Sequence, residues 1–204
     1  MKIGVISDIH GYIDNLDMAL EFLKHHPVDE IICAGDLVDR YPDGPAVVQR
    51  IQDEDILCVQ GNHDEHPFDR QFLDEDTLEY CADLPQSLVL NRAGRTIFLC
   101  HANPWDLQQY VFPSASEDVF EQIMDIAETD IVVMGHTHTP MIVNIDDGTC
   151  YVFNPGTLCE MCTQGPVTCG IIDLPDNPDA PPTFTIYDVE LGNPLLVDEI
   201  MMQV

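Results

Sequence analysis

The chain has 204 residues, 37 acidic against 7 basic, giving a formal net charge of -30 and a pI near 4.1. That length suits one domain with a sizeable apolar core, and no apolar run approaches the roughly 18 residues a membrane span needs. Seven scattered Lys and Arg cannot neutralise a phosphate backbone, so a nucleic-acid polymer is excluded as a partner. The plain reading of so acidic a surface is solvation, with a salt-rich or cation-rich interior as the rarer alternative.

The start, MKIGVISDIHG, reads as a strand and turn and not as a signal peptide, so a cytoplasmic location is expected. Residues 2–7 form the first predicted strand, which runs into Asp8, His10 and Gly11. Leu16, Ala19, Leu20 and Leu23 then follow the three-and-four rhythm of a buried helical stripe, closed by His25 and His26, which complement the negative end of the helix. A second buried strand at 30–34 ends in Gly35, Asp36, Asp39 and Arg40, and a third at 56–60 in Gly61, Asn62, His63 and Asp64. The fourth, at 96–100, ends at His101. Beyond it, Trp105, Tyr110 and Phe112 are expected to cover the core under a loop rather than wall a base-stacking pocket.

Ser114 and Glu117 have the spacing of a capping box, opening a helix that carries Phe120, Ile123 and Ile126. The fifth strand, 130–134, leads into Gly135, His136, Thr137 and His138. Runs at 150–153, 169–174 and 183–189 follow without a helix between them, the last two separated by the Pro- and Asp-rich loop 175–182. Alternating strand and helix followed by strands alone predicts an α/β fold, a four-layer α/β/β/α sandwich of two mixed sheets. Residues 1–204 read as a single domain, with the tail 190–204 peripheral and free to pack back or to meet a partner.

Each of the first five predicted strands thus ends in polar residues able to bind metal. Ligands in open α/β sheets lie beyond the carboxyl ends of strands, so these turns can converge although they are far apart in sequence. Residues two apart in extended chain point to one side, which lets Asp8 and His10 share a metal and gives His136 and His138 the same geometry. Glycines at 11, 35, 61 and 135 allow the backbone to turn sharply beside a ligand.

These five motifs in order from Asp8 to His138, with the Asn-Pro-Gly-Thr at 154–157, resemble the calcineurin-like metallophosphoesterase superfamily, most closely its small single-domain bacterial and archaeal branch. The resemblance implies that Asp8, His10 and His138 hold one cation, that Asn62, His101 and His136 hold another, and that Asp36 bridges them through its two oxygens. Its mixed nitrogen and oxygen donors suit Mn, the first choice, and also Fe, Zn, Co or Ni. Two such metals would present a bridging hydroxide for in-line attack on a phosphate ester. By the same resemblance His63 is the catalytic imidazole at the leaving group, Asp39 orients it, and Arg40 contacts the phosphate. The family usually has Gly where this chain has Ala102, and the extra methyl narrows the backbone options there while leaving metal binding intact.

His66 and Asp64 are expected to be exposed loop residues rather than substrate contacts. The eight cysteines read as free thiols, including Cys159 and Cys162, because a lone CxxC lacks the second tight pair of a structural zinc site. The resemblance therefore points to a phosphatase or phosphodiesterase acting on a small phosphorylated molecule, a nucleotide among the candidates. A dinucleoside polyphosphate hydrolase, a protein phosphatase, or a partner-binding scaffold like the retromer subunit of the same superfamily are the alternatives.

Overall fold

The computed structural model describes residues 1–39, 41, 43–67, 70–145, 148–195 and 201–203, with backbone alone at 70 and 201–203. The strands are β1 Lys2–Ile6, β2 Glu30–Cys33, β3 Leu57–Cys58, β4 Ser87–Arg92, β5 Arg95–Cys100, β6 Ile131–Val133, β7 Met141–Ile145, β8 Cys150–Asn154, β9 Thr168–Asp173, β10 Thr183–Asp188 and β11 Met201–Gln203. The helices are α1 Ile13–His25, α2 Gly44–Asp53, α3 Asn62–Glu65, α4 Glu75–Asp83 and α5 Glu117–Ala127. None of them is long and apolar enough to cross a membrane.

Two mixed sheets result, with orders β10-β9-β1-β2-β3 and β11-β7-β8-β6-β5-β4. Within the first, β1, β2 and β3 run parallel, as β5, β6 and β8 do in the second. The second sheet is present, but the last three predicted strands do not make it. β9 pairs antiparallel with β1, and β10 with β9, so both complete the first sheet, while β8 lies inside the second. The chain changes sheet just after β8, where the Leu158 N–H reaches the carbonyls of Ser7 and Asp8 at 3.3 Å each.

Three strands were not anticipated from the sequence: β4, β7 and β11. β4 and β5 form a hairpin whose two-residue turn, Ala93 and Gly94, has φ of 48° and 78°, the left-handed pair that matches strand twist. β11 pairs in parallel with β7, so part of the tail packs back on the second sheet.

Period-two alternation sorts the side chains into layers. Ile3 and Val5 of β1 meet Ile97, Leu99, Ile131, Val133 and Phe153 between the sheets. Ile6 faces the other way, onto Leu16, Leu20 and Leu23 of α1 and Val47 and Ile51 of α2. Val132 and Val152 face outward onto Phe120, Ile123 and Met124 of α5. The result is helix, sheet, sheet, helix. At α5 the residue before the helix is Ser116 and its side chain caps nothing, so the predicted Ser114 box is not formed. Ile126 is exposed, because at 100° per residue it stands well off the face set by Phe120, Ile123, Met124 and Ala127.

Candidate metal centre

The parallel strands deliver the turns after β1, β2, β3, β5 and β6 to one end of the two sheets. There Asp8, His10, Asp36, Asn62, His101, His136 and His138 come together. His10 Nε2 lies 3.1 Å from His138 Nε2, which is 3.1 Å from Asp8 Oδ1. On the other side His101 Nε2 lies 3.0 Å from Asn62 Oδ1 and 3.3 Å from Asp36 Oδ2. Donor atoms of Asp8, His10, Asp36 and His138 fall within 4.8 Å of one another, as do those of Asp36, His101 and His136. Asp36 is common to both groups.

One of its oxygens faces both groups. Asp36 Oδ2 stands 3.6 Å from His10 Nε2 and 3.3 Å from His101 Nε2. Its Oδ1 accepts the His63 backbone N–H at 2.9 Å and is thereby turned away.

The convergence has a different local cause from the extended alternation read in the sequence. Eight described non-glycine residues have positive φ, and five of them are Asp8, His10, Asp36, His136 and His138, at 51° to 67°. Each left-handed residue of this kind costs on the order of 1–3 kcal/mol, so surrounding contacts must hold it. They do. The Asn154 amide donates to the Gly135 carbonyl at 2.7 Å, and the Thr157 hydroxyl to the Asp8 carbonyl at 2.7 Å. Ser7, unnoticed in the sequence, donates to Asp8 Oδ2 at 2.6 Å, and the His136 N–H to the same oxygen at 3.0 Å. Two glycines act by close approach: a Cβ on Gly61 would strike the Asp36 carboxylate and backbone, and one on Gly135 would strike Ser7 and Asp8.

Three of the four imidazoles fix their orientation through the nitrogen that does not face the cluster. His101 Nδ1 is 2.7 Å from the Ala34 carbonyl, His136 Nε2 is 3.2 Å from the Gln108 carbonyl, and His138 Nδ1 is 3.4 Å from the Cys162 carbonyl. A carbonyl only accepts, so each of these nitrogens carries the proton and the opposite one offers a lone pair. The carboxylates draw positive charge to that lone pair, which on His101 a proton takes and a cation would displace. Burial works against a proton on His101, yet the Asp36 carboxylate, aided by Asp8, pushes its pKa up to about 10. Burial works equally against charge on Asp36, and His101 still holds its carboxyl well below the usual range. His136, buried beside His101, is pulled down to about 4 and stays neutral. A set of imidazole nitrogens, two buried carboxylates and an amide oxygen, in a field that draws positive charge, fits divalent metal.

His63 sits at the rim, its Nδ1 3.2 Å from Asp39 Oδ1. Burial opposes charge on this ring, but the Asp39 carboxylate prevails and raises its pKa. Arg40 lies outside the described residues. His66 is exposed and lines, with Asn62, His63, Pro67 and Gln108, an open cleft of about 420 Å³. Asp64 corrects the sequence reading: it is buried and accepts four backbone N–H groups, from Asp36, Leu37, Val38 and Gly61, at 2.8 to 3.2 Å. Its Asp-rich, turn-like setting gave no sign of this. Ala102 is buried beside His101. Trp105 packs on the core beneath its loop as expected, whereas Tyr110 and Phe112 are exposed and Tyr110 stacks on His136 with ring centroids 4.0 Å apart. Cys159 and Cys162 are joined in a disulfide, against the expectation of free thiols, because the short turn between them brings their Cα atoms to 5.2 Å. The other six cysteines are free.

Residues 1–177 match the sequence model of the calcineurin-like phosphoesterase superfamily domain. A phosphodiesterase of Methanocaldococcus jannaschii is 27% identical over 176 residues, which are 85% of this chain and 93% of that protein. Among solved structures, a metallophosphoesterase from Sphaerobacter thermophilus aligns with a TM-score of 0.72 at 22% identity, covering 90% of this chain and 87% of that one. Vps29 from Entamoeba histolytica, complexed with zinc, aligns with a TM-score of 0.63 at 17% identity and covers 96% of both chains. At these identities the two structures speak for the fold alone.

Proposed function

The chain belongs to the calcineurin-like phosphoesterase superfamily, and from that premise we propose a binuclear metal-dependent hydrolase that cleaves phosphate esters of small molecules. The observation that carries this reading is the single Asp36 oxygen facing both donor groups. Asp8, His10 and His138 would hold one divalent cation and Asn62, His101 and His136 the other, with Asp36 shared between them. His136 would offer Nδ1 and the remaining imidazoles Nε2, since their other nitrogens face carbonyls or, for His10, the Asp39 side. Mn is the first choice of metal, with Fe, Zn, Co and Ni compatible with the donors. When bound, the pair supplies Lewis acidity at the phosphate oxygens and a water acidic enough to attack at neutral pH.

The chain's own contribution is positioning and proton handling. His63 opens on the cleft and donates a proton to the departing oxygen, while Asp39 sets its tautomer and orientation. Arg40, two residues beyond Val38, is assigned to the phosphate by family likeness. The cleft of about 420 Å³ admits a small ester. Exposed Tyr110 beside His136 suits a nucleotide among such esters. A single domain over residues 1–204 and a cytoplasmic location complete the reading.

A scaffold role is the second reading, supported by the likeness to Vps29. None of the seven donors of the motif set is missing from the sequence, which favours catalysis over a scaffold that has lost part of its site. A screen of divalent metals against chromogenic monoesters, diesters and nucleotides, with Asp36→Ala as control, tests the proposal. Turnover that appears with Mn and vanishes in the variant supports it. Equal turnover by Asp36→Ala, or none with any metal and ester, removes it in favour of the scaffold.

A further inference from the structure

The Cys159 and Cys162 pair is built into the same cage. The Cys159 N–H donates to the Thr157 hydroxyl at 2.9 Å, and that hydroxyl donates to the Asp8 carbonyl at 2.7 Å. Three residues on, the Cys162 carbonyl accepts from His138 Nδ1 at 3.4 Å. The Cys162 sulfur itself lies within 4.8 Å of donor nitrogens of His10 and His138. It also lines an open cleft of about 400 Å³ with His138, Thr139 and Pro140, which gives a small reductant access. Of the free cysteines, all but Cys150 are buried, and none belongs to a donor group of this site among the described residues. Cys162 is therefore placed unlike any of them: a sulfur at the edge of the Asp8, His10 and His138 group, tied to a neighbour that a reductant can release.

We propose that Cys162, once the Cys159 to Cys162 disulfide is reduced, becomes a thiolate ligand of the cation held by Asp8, His10 and His138. The inference rests on the metal reading above. A dithiol reductant supplies the two electrons and two protons: its thiols close into a disulfide, the Cys159 to Cys162 bond breaks, and two cysteine thiols form. The Cys162 thiol then gives its proton to solvent as its sulfur binds the cation, since the thiolate is the ligand form. The oxidised chain has an all nitrogen and oxygen site suited to Mn, and the reduced chain has a softer site that favours Zn or Co. The redox state of the pair thus selects the metal.

Cobalt(II) is the probe. Metal-free protein is split, one half is reduced with a dithiol and desalted without oxygen, and both halves are loaded with cobalt. Visible ligand-field absorption reports loading, and near-ultraviolet sulfur-to-cobalt charge transfer reports thiolate ligation. We expect charge transfer in the reduced half alone, constitutively in Cys159→Ser, and in no state of Cys162→Ser. Reduced Cys162→Ser is expected to bind cobalt at least about 10-fold more weakly than the reduced parent, since even outer contacts of a ligand are worth that much. A loaded, reduced protein without charge transfer overturns this inference and spares the metal reading; failure to load in either state overturns both. Charge transfer that persists in Cys162→Ser assigns the sulfur elsewhere and also overturns it. The oxidised and reduced halves of the parent decide the matter even where Cys159→Ser does not fold.

Discussion

The buried Asp64 carboxylate accepts the backbone N–H of Asp36 at 2.8 Å, so the acid shared by the two donor groups is held from behind by another acid 28 residues away. Asp64 takes three further N–H groups, two from the loop after β2 and one from Gly61 ahead of α3. One side chain thereby locks the loop carrying Asp36 to the loop carrying Asn62 and His63. Replacing it with Ala strands buried donors at about 1–3 kcal/mol each before relaxation. We expect Asp64→Ala to lose at least about 3 kcal/mol in urea unfolding, and a loss under about 1 kcal/mol would show that the lock is dispensable.

Asp36→Asn keeps the shape of the shared side chain and removes its charge. Metal content by atomic absorption should fall from two ions per chain, and turnover should drop by at least about 100-fold, more than the loss of a contact outside the ligands. Two ions and near-parental turnover would show that Asp36 is not shared.

His63 and Asp39 should separate chemistry from metal binding. His63→Asn is expected to lower kcat by about 10² to 10⁴ with metal content unchanged. Asp39→Asn is expected to lose about 10 to 100-fold, because it acts through the ring it orients. A leaving group that needs no proton should restore much of the His63→Asn rate. Equal loss on every leaving group would assign His63 to binding instead.

Gly135→Ala places a methyl against Ser7 and the Asp8 carboxylate. Crowding of this kind costs about 1–3 kcal/mol, and with Asp8 as a proposed metal donor the variant should also bind Mn more weakly by calorimetry. Parental stability together with parental affinity would mean that the two loops yield freely.

Chelation should abolish turnover, and Mn should restore it. Metal that binds only the folded chain stabilises it by about 2.7 kcal/mol per site at 100 times its Kd, so the chelated protein should melt several degrees lower. An unchanged Tm with Mn in excess would count against a cage held in the folded state.

Sequence by itself determined which residue types stand at the strand ends and which faces of the strands and of α1 are apolar. Those features repeat with the period of the local backbone, so they are legible before folding: the ends after β1, β2, β3, β5 and β6 carry acids, amides and imidazoles that no core would hold without a reason. Only the tertiary structure decided how they are held. Asp64 binds main-chain N–H groups, and His101, His136 and His138 lean on the carbonyls of Ala34, Gln108 and Cys162. Any residue supplies such groups, so nothing in the sequence marks the partner. The placing of β9 and β10 in the first sheet and the contacts that hold the left-handed turns at Asp8, His10, Asp36, His136 and His138 are of the same kind. Each depends on where distant backbones lie once the two sheets have packed, a distance that no local pattern encodes.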